Sequence, residues 1–303
     1  ILNNLLENKL NNSILITGNK GIGKFHFINK IIHEFICNRI DKEEINHQIS
    51  LLNANSHPNI KIINKKIDEK TNKIKNNIII EQIRELNQFA NQTSLVNNFP
   101  KFILIDSADD LNINSSNALL KILEEPKINN YFFLVSHKPS LLLPTIKSRC
   151  VKFNLSPHSF ENFKKILNIH FDNLDDSIIK FFYDISSGSP GITLEYNFDK
   201  IIDIFDQFII LTTSNDPFSK LNYNLIEYLS NLENEILKIH LSLIKFFLIV
   251  LKKIKMGINI KENYLSENIL EIQKFSNKIK SSVIDKKLDY LINNENDLFT
   301  FNL

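Results

Sequence analysis

Residues 13–25 read SILITGNKGIGKF. Five residues suited to a buried strand are followed by six loop residues with three glycines, and then by a lysine that opens an apolar-periodic helix. Gly18, Gly23 and Lys24 stand at the spacing of a phosphate-binding loop, in the strand–loop–helix setting such a loop requires. Gly18, Gly21 and Gly23 let the backbone curl around a phosphate. The helix start supplies oriented N–H groups, and Lys24 supplies positive charge. An ordinary strand-to-helix turn is the alternative. The chain has only 6 glycines, and three of them in this one loop favour the backbone requirement.

The same alternation continues downstream. Lys24–Cys37 is a predicted helix with Phe25, Ile28, Ile31, Ile32 and Phe35 inward. Asn59–Ile63 and Asn77–Ile80 are strand candidates joined by a charged hairpin or loop, Asn64–Asn76. Glu81–Gln92 reads as a helix, Lys101–Asp106 as a strand, Asn114–Glu124 as a helix and Tyr131–Ser136 as a strand. Near-continuous apolar strands alternating with helices predict an α/β fold with a parallel sheet covered on both faces. From about Ser156 the strand pattern stops. The predicted plan is an α/β P-loop module over residues 1–155, a small helical unit over 156–200 and an all-α domain over 201–303.

Composition limits the function classes. At 43% apolar and 23% charged residues, the chain is of globular type. A net charge of +2 argues against a polybasic nucleic-acid protein. Two cysteines, Cys37 and Cys150, cannot build a disulfide scaffold or a four-thiolate zinc site, which points to a reducing compartment. Ile1–Asn12 has no apolar run flanked by basic residues, so no secretory leader is expected in it. The strongest apolar stretch, Leu241–Leu251, is broken by Lys245 and falls far below the ~20 residues a bilayer needs. A cytoplasmic protein with no membrane contact is expected.

The nucleotide machinery is incomplete. A working loop ends in Ser or Thr, whose hydroxyl ligates Mg²⁺. Here Phe25 follows Lys24 and would bring an aromatic ring near the β/γ-phosphate site. Asp106 ends an apolar strand, as a magnesium-holding aspartate should. The next residue is Ser107, too weak a base to orient an attacking water. Asp109 and Asp110 are close by but shifted along the chain. Hydrolysis by this chain alone is not expected, although an active ATPase using Lys24 and Asp106 remains the alternative.

Further motifs carry a resemblance. NALLKILEEP at Asn117–Pro126 and YFFLVSHKPSLLLPTIKSRC at Tyr131–Cys150 are collinear with SHPNI at Ser56–Ile60 and SGSPG at Ser187–Gly191. Together they resemble the clamp-loader branch of the AAA+ proteins over about residues 13–195; beyond that, only length and helicity fit. The resemblance implies an AAA+ module, a helical lid and a helical collar through which five subunits form a ring. That ring opens the sliding clamp of bacterial DNA polymerase III and places it on primer–template DNA at the expense of ATP.

The departures at Phe25 and Ser107 fit the rigid, non-hydrolysing member of such a ring. This chain would then need no cofactor, with ATP and Mg²⁺ held by partner subunits. The partners implied are ATPase subunits of gamma/tau type and a delta-type subunit, met through collar and AAA+ faces. Gly191 stands where ATP-binding relatives place a sensor-2 arginine. Many relatives carry a four-cysteine zinc module after the first helix. The corresponding segment here, Cys37–His57, has one Cys and two His, so no metal is expected. Ser136 falls at the sensor-1 position, where a plain strand-end serine is the competing reading.

The resemblance also implies that Arg149, in the SRC sequence, acts in trans as an arginine finger on a neighbour's γ-phosphate. Only 3 arginines stand beside 33 lysines, and a planar, permanently charged fork suits bidentate phosphate binding better than an ammonium. An intramolecular salt bridge is the alternative, and a purely structural ring subunit with an idle finger follows from it. Arg39, after the first long helix, reads as a helix-end cation. Arg84, beside Glu81 and Glu85, reads as part of a local ion pair. Lys20, Lys121 and Lys127 are candidates for contact with DNA phosphates.

Overall fold

The computed structural model describes residues 1–68, 74–94, 96, 99–172, 174–195, 198–213, 227, 234–258 and 269–300. These divide into two compact units, residues 1–157 and 158–303. In the first unit α1 (Leu2–Leu6) precedes β1 (Ser13–Thr17), and α2 (Lys24–Arg39) and α3 (Lys42–Asn53) lead to β2 (Ile60–Ile63). Next come α4 (Ile80–Asn91), β3 (Lys101–Asp106), a 3-10 turn (Ala108–Asp110), α5 (Ile113–Glu124), β4 (Asn130–Ser136), α6 (Pro144–Ser148) and β5 (Val151–Asn154). The five strands form one sheet in the order β2-β3-β4-β1-β5, and every pairing is parallel.

Residues of a strand point alternately to opposite faces, and the core follows that alternation. On one face Ile14, Ile16, Phe102, Leu104, Phe133 and Val135 meet Ile28, Ile32 and Phe35 of α2. On the other, Leu15, Ile103, Ile105, Phe132 and Leu134 meet Ile83 and Leu86 of α4, Leu119 and Ile122 of α5, and Ile146 of α6. Both faces are therefore apolar, which is why KFILID and YFFLVS run almost without a polar residue.

One strand candidate is corrected. In Asn77–Ile80 only Ile78 pairs, in an isolated parallel bridge with Leu111, and Ile80 already begins α4. The Gln82 side chain accepts a hydrogen bond from the Ile79 N–H at 3.3 Å. That bond closes the helix start and cuts the apolar run in two. The charged connection Asn64–Asn76 carries an antiparallel bridge between Ile67 and Ile74; residues 69–73 between them lie outside the described residues.

The second unit is helical among its described residues. It contains α7 (Phe160–His170), α8 (Asp176–Ile185), α9 (Pro190–Leu194), α10 (Phe198–Thr213) and the helices Asn234–Lys255, Ile269–Lys278 and Ser281–Thr300. Phe163, Phe182, Phe205, Phe246, Phe247, Val250, Leu251 and Ile284 belong to one apolar cluster. The helices expected as lid and those expected as collar both contribute to it. Residues 214–226, 228–233, 259–268 and 301–303 of the predicted all-α domain lie outside the described residues. The chain is an α/β P-loop module with a parallel sheet, followed by a helical region. Among the described residues no helix is long and apolar enough to cross a membrane.

Phe102 is the centre of the first core. Its ring is fully buried and lies 5.6 Å from those of Phe35 and Phe99 and 6.0 Å from that of Tyr131. Phe102→Ala is expected to destabilise the chain by about 3–5 kcal/mol, read from urea unfolding of the full chain. A loss below about 1 kcal/mol would contradict this packing.

Candidate functional site

Because the strand interiors are apolar on both faces, their polar side chains sit at the strand ends, and the carboxyl ends are where open α/β sheets bind ligands. Register brings Thr17 beside Ser136 and Asn154, and Asp106 beside Val135. The Thr17 hydroxyl bonds the Asn154 side-chain oxygen at 2.9 Å. The phosphate-type loop leaves β1 at this edge.

Gly18 lies at φ +144°, and a Cβ there would stand 2.5 Å from both the Ile22 side chain and the Leu155 carbonyl oxygen. The carbonyl is backbone and cannot step aside, so glycine is required. Gly23 caps α2 in the left-handed region at φ +87°. Lys24 is only 3% exposed, and its ammonium donates to the carbonyls of Gly18 and Asn19, each at 2.6 Å. Burial lowers its pKa from 10.5 to about 8, against the opposing pull of Asp106 and Asp109. The Asp106 carboxyl is raised by burial, with Lys24 pulling it down and Asp110 adding to the rise. Phe25 is half-buried and packs against the apolar cluster that contains Ile14 and Ile28.

Asp109 is the residue the linear pattern did not bring forward. Its carboxylate accepts from the Ser136 hydroxyl at 2.6 Å, from the His137 and Lys138 amides and from the Ser107 hydroxyl at 3.1 Å. One side chain on the 3-10 turn thus ties the ends of β3 and β4 together. Ser136 is fully buried, and its hydroxyl proton goes to Asp109. His137 is held near pH 4, first by burial and then by the Lys24 charge, so its imidazole is neutral at physiological pH.

Arg149 follows α6, away from the loop in sequence. It donates to the Thr145 carbonyl at 3.0 Å and to the Glu124 carboxylate at 2.7 Å, and its side chain is 34% exposed. Arg39 reaches the Leu6 carbonyl. Lys20, Lys121 and Lys127 are exposed, and Lys127 donates to the Asn91 carbonyl at the end of α4. His57 accepts from the Asn59 amide at 3.1 Å and packs on Phe99 with ring centroids 4.8 Å apart, a structural arrangement. Cys150 packs against the second face of the sheet, where burial raises its thiol to about 11. Gly191 lies in α9.

What the edge can do follows from its donors. The loop has the glycines and the lysine for a phosphate, but Phe25 offers no oxygen to magnesium. Lys24 is already bonded to loop carbonyls. The Asp109 carboxylate is engaged by four donors.

Comparison with known proteins bears on the same half of the chain. The family described as "DNA polymerase III, delta subunit" matches residues 1–159. The "DNA polymerase III subunit delta′" of Pseudomonas aeruginosa is 36% identical over 141 residues, covering 46% of this chain and 41% of that protein. The protein of the same name from Escherichia coli is 29% identical over 144 residues, covering 48% and 41%. The chain thus matches less than half the length of these relatives. A solved "dna polymerase iii, gamma subunit-related protein" from Thermotoga maritima superposes with a TM-score of 0.43 at 14% identity, over 95% of this chain and 96% of that one.

The buried ammonium gives a pH test. Lys24 loses its proton at about 8 when folded and at 10.5 otherwise. Between those values the unfolded chain holds more protons, so stability rises with pH. Lys24→Met is expected to remove that rise. In ¹³C-lysine spectra the Lys24 signal should titrate near pH 8, and Asp106→Asn should move the midpoint lower. A midpoint at the ordinary lysine value would refute the burial argument.

Proposed function

The chain belongs to the DNA polymerase III delta subunit family, and on that premise we propose that it is a delta-prime-type, non-hydrolysing subunit of a bacterial clamp loader. Its partners are ATPase subunits of gamma/tau type and a delta-type subunit, joined through the helical region and the α/β module. The assembled ring loads the sliding clamp on primed DNA, and this chain reaches both clamp and DNA as part of that ring.

One observation carries the reading. The Asp109 carboxylate accepts four hydrogen bonds from Ser107, Ser136, His137 and Lys138, so it serves as a brace rather than a base. With Ser107 in the position after Asp106, neither position supplies a free carboxylate to activate water. Gly18, Gly21, Gly23 and Lys24 would hold a phosphate, and Asp106 and Ser136 would face it, but the residue set does not fit a hydrolysed Mg²⁺–nucleotide. This chain requires no cofactor of its own; ATP and Mg²⁺ belong to the partner subunits.

Its contribution to catalysis is Arg149, acting in trans. A guanidinium has five N–H donors in a fixed plane, and two contacts leave others for phosphate oxygens. An arginine so placed stabilises charge on a transferring phosphoryl group, worth about 10³–10⁵ in turnover where measured. The ion pair with Glu124 favours a second reading, a structural subunit whose arginine serves only its own fold.

Reconstituted loader separates the two. Arg149→Ala is expected to lower clamp- and DNA-stimulated ATP turnover by about tenfold or more with the ring still assembled. Unchanged turnover would leave the structural reading alone. The isolated chain is expected to lack ATPase activity, and a motor-like rate abolished by Lys24→Ala would overturn the proposal.

A further inference from the structure

Two of the sequence motifs meet in space through one ion pair. Glu124 closes α5 at the end of NALLKILEEP, and its Oε1 lies 2.7 Å from Nη2 of Arg149 in the SRC sequence, 25 residues later. Nη1 of the same guanidinium donates to the Thr145 carbonyl of α6 at 3.0 Å. The arginine is therefore held from two sides, by a carboxylate on one helix and a carbonyl on another.

Helix preference does not account for Glu124. An anion at a helix C-terminus opposes the macrodipole, and the side chain is 49% exposed, so it is not there to fill the core. Exposed ion pairs contribute little to stability. What this pair does fix is direction. An arginine side chain has several freely rotating bonds, and only a tether at its tip gives the planar head one orientation. Both tethers stand on rigid ground: Leu119, Ile122 and Leu123 of α5 and Ile146 of α6 belong to the same buried cluster.

We propose that Glu124 is a positioning residue for Arg149. It holds the guanidinium extended between α5 and α6, so that its remaining donors are presented at the surface in the plane a phosphate must approach. A lysine in place of Arg149 could bond the carboxylate or a phosphate as a point charge, but it has no second edge to present. This inference rests on Arg149 acting in trans on a neighbour's nucleotide, and its test is arranged so that the two ideas fail separately.

The experiment is steady-state ATP turnover of the reconstituted loader, stimulated by clamp and primed DNA. The chain carries Glu124→Ala, Glu124→Gln, Arg149→Ala or both alanines, with ring assembly checked by gel filtration. Glu124→Ala is expected to lower kcat by about three- to tenfold with the KM for ATP unchanged. Glu124→Gln, which keeps an oxygen that accepts from the guanidinium, should recover most of the loss. The double variant should be no slower than Arg149→Ala, because Glu124 acts only through the arginine. Normal or faster turnover in Glu124→Ala, beside a slow Arg149→Ala, would overturn the positioning role and spare the finger. A double variant slower than Arg149→Ala would also overturn it. Normal turnover in Arg149→Ala would remove the finger itself, and the positioning role with it.

Discussion

Burial of the sheet on both faces is the constraint from which the rest follows. Strands β1, β3 and β4 carry side chains that are almost all buried, so polar atoms along them have no water to meet. An unpaired polar group in such a place would be costly. Polar residues therefore collect at the strand ends, Ser13, Lys101 and Asn130 at the amino edge and Thr17, Asp106 and Ser136 at the carboxyl edge. At the carboxyl edge Asp109 accepts from Ser136 and from the amides of His137 and Lys138. The Asp109 carboxylate is the clasp of the edge.

Local pattern reveals much of this. The three central strands are legible because burial on both faces forces continuous apolar runs, and the phosphate-type loop is legible because its glycines and lysine are adjacent. Of the elements that escape, two do so for plain physical reasons. In α3, Gln48 and Leu52 are the buried residues, too thin a stripe for periodicity to show. Strand β5 exposes Val151, Lys152 and Asn154 and exists because its backbone pairs with β1, a property that no side-chain pattern encodes. The site divides the same way. Lys24 and Asp106 stand out by position, whereas the role of Asp109 depends on partners 27 to 29 residues away.

The basic residues show how far composition can carry an inference. Scarcity of arginine selects three positions, and the fold gives two of them, Arg39 and Arg149, different surroundings. Arg39 bonds the Leu6 carbonyl of the preceding helix end, a task a lysine performs equally well. Lys101 shows as much, because its buried ammonium satisfies the Phe89 and Gln92 carbonyls at the end of α4. Arg149 makes its two contacts from separate nitrogens of one planar group, an arrangement the single nitrogen of an ammonium does not copy. The fork, rather than the charge, distinguishes this position in a chain so rich in lysine.

The phosphate-type loop is supported by contacts within the chain. Gly18 lies against the Leu155 backbone, Ile22 is buried in the turn, and the Lys24 ammonium bonds two loop carbonyls. These contacts join the end of β1 to the start of α2 and to the segment after β5, so opening the loop would disturb three elements at once. Phe25, where a working loop places a magnesium-binding hydroxyl, packs against the core. The contacts of Gly18 and Lys24 within this chain are enough to account for those two parts of the motif by the fold itself.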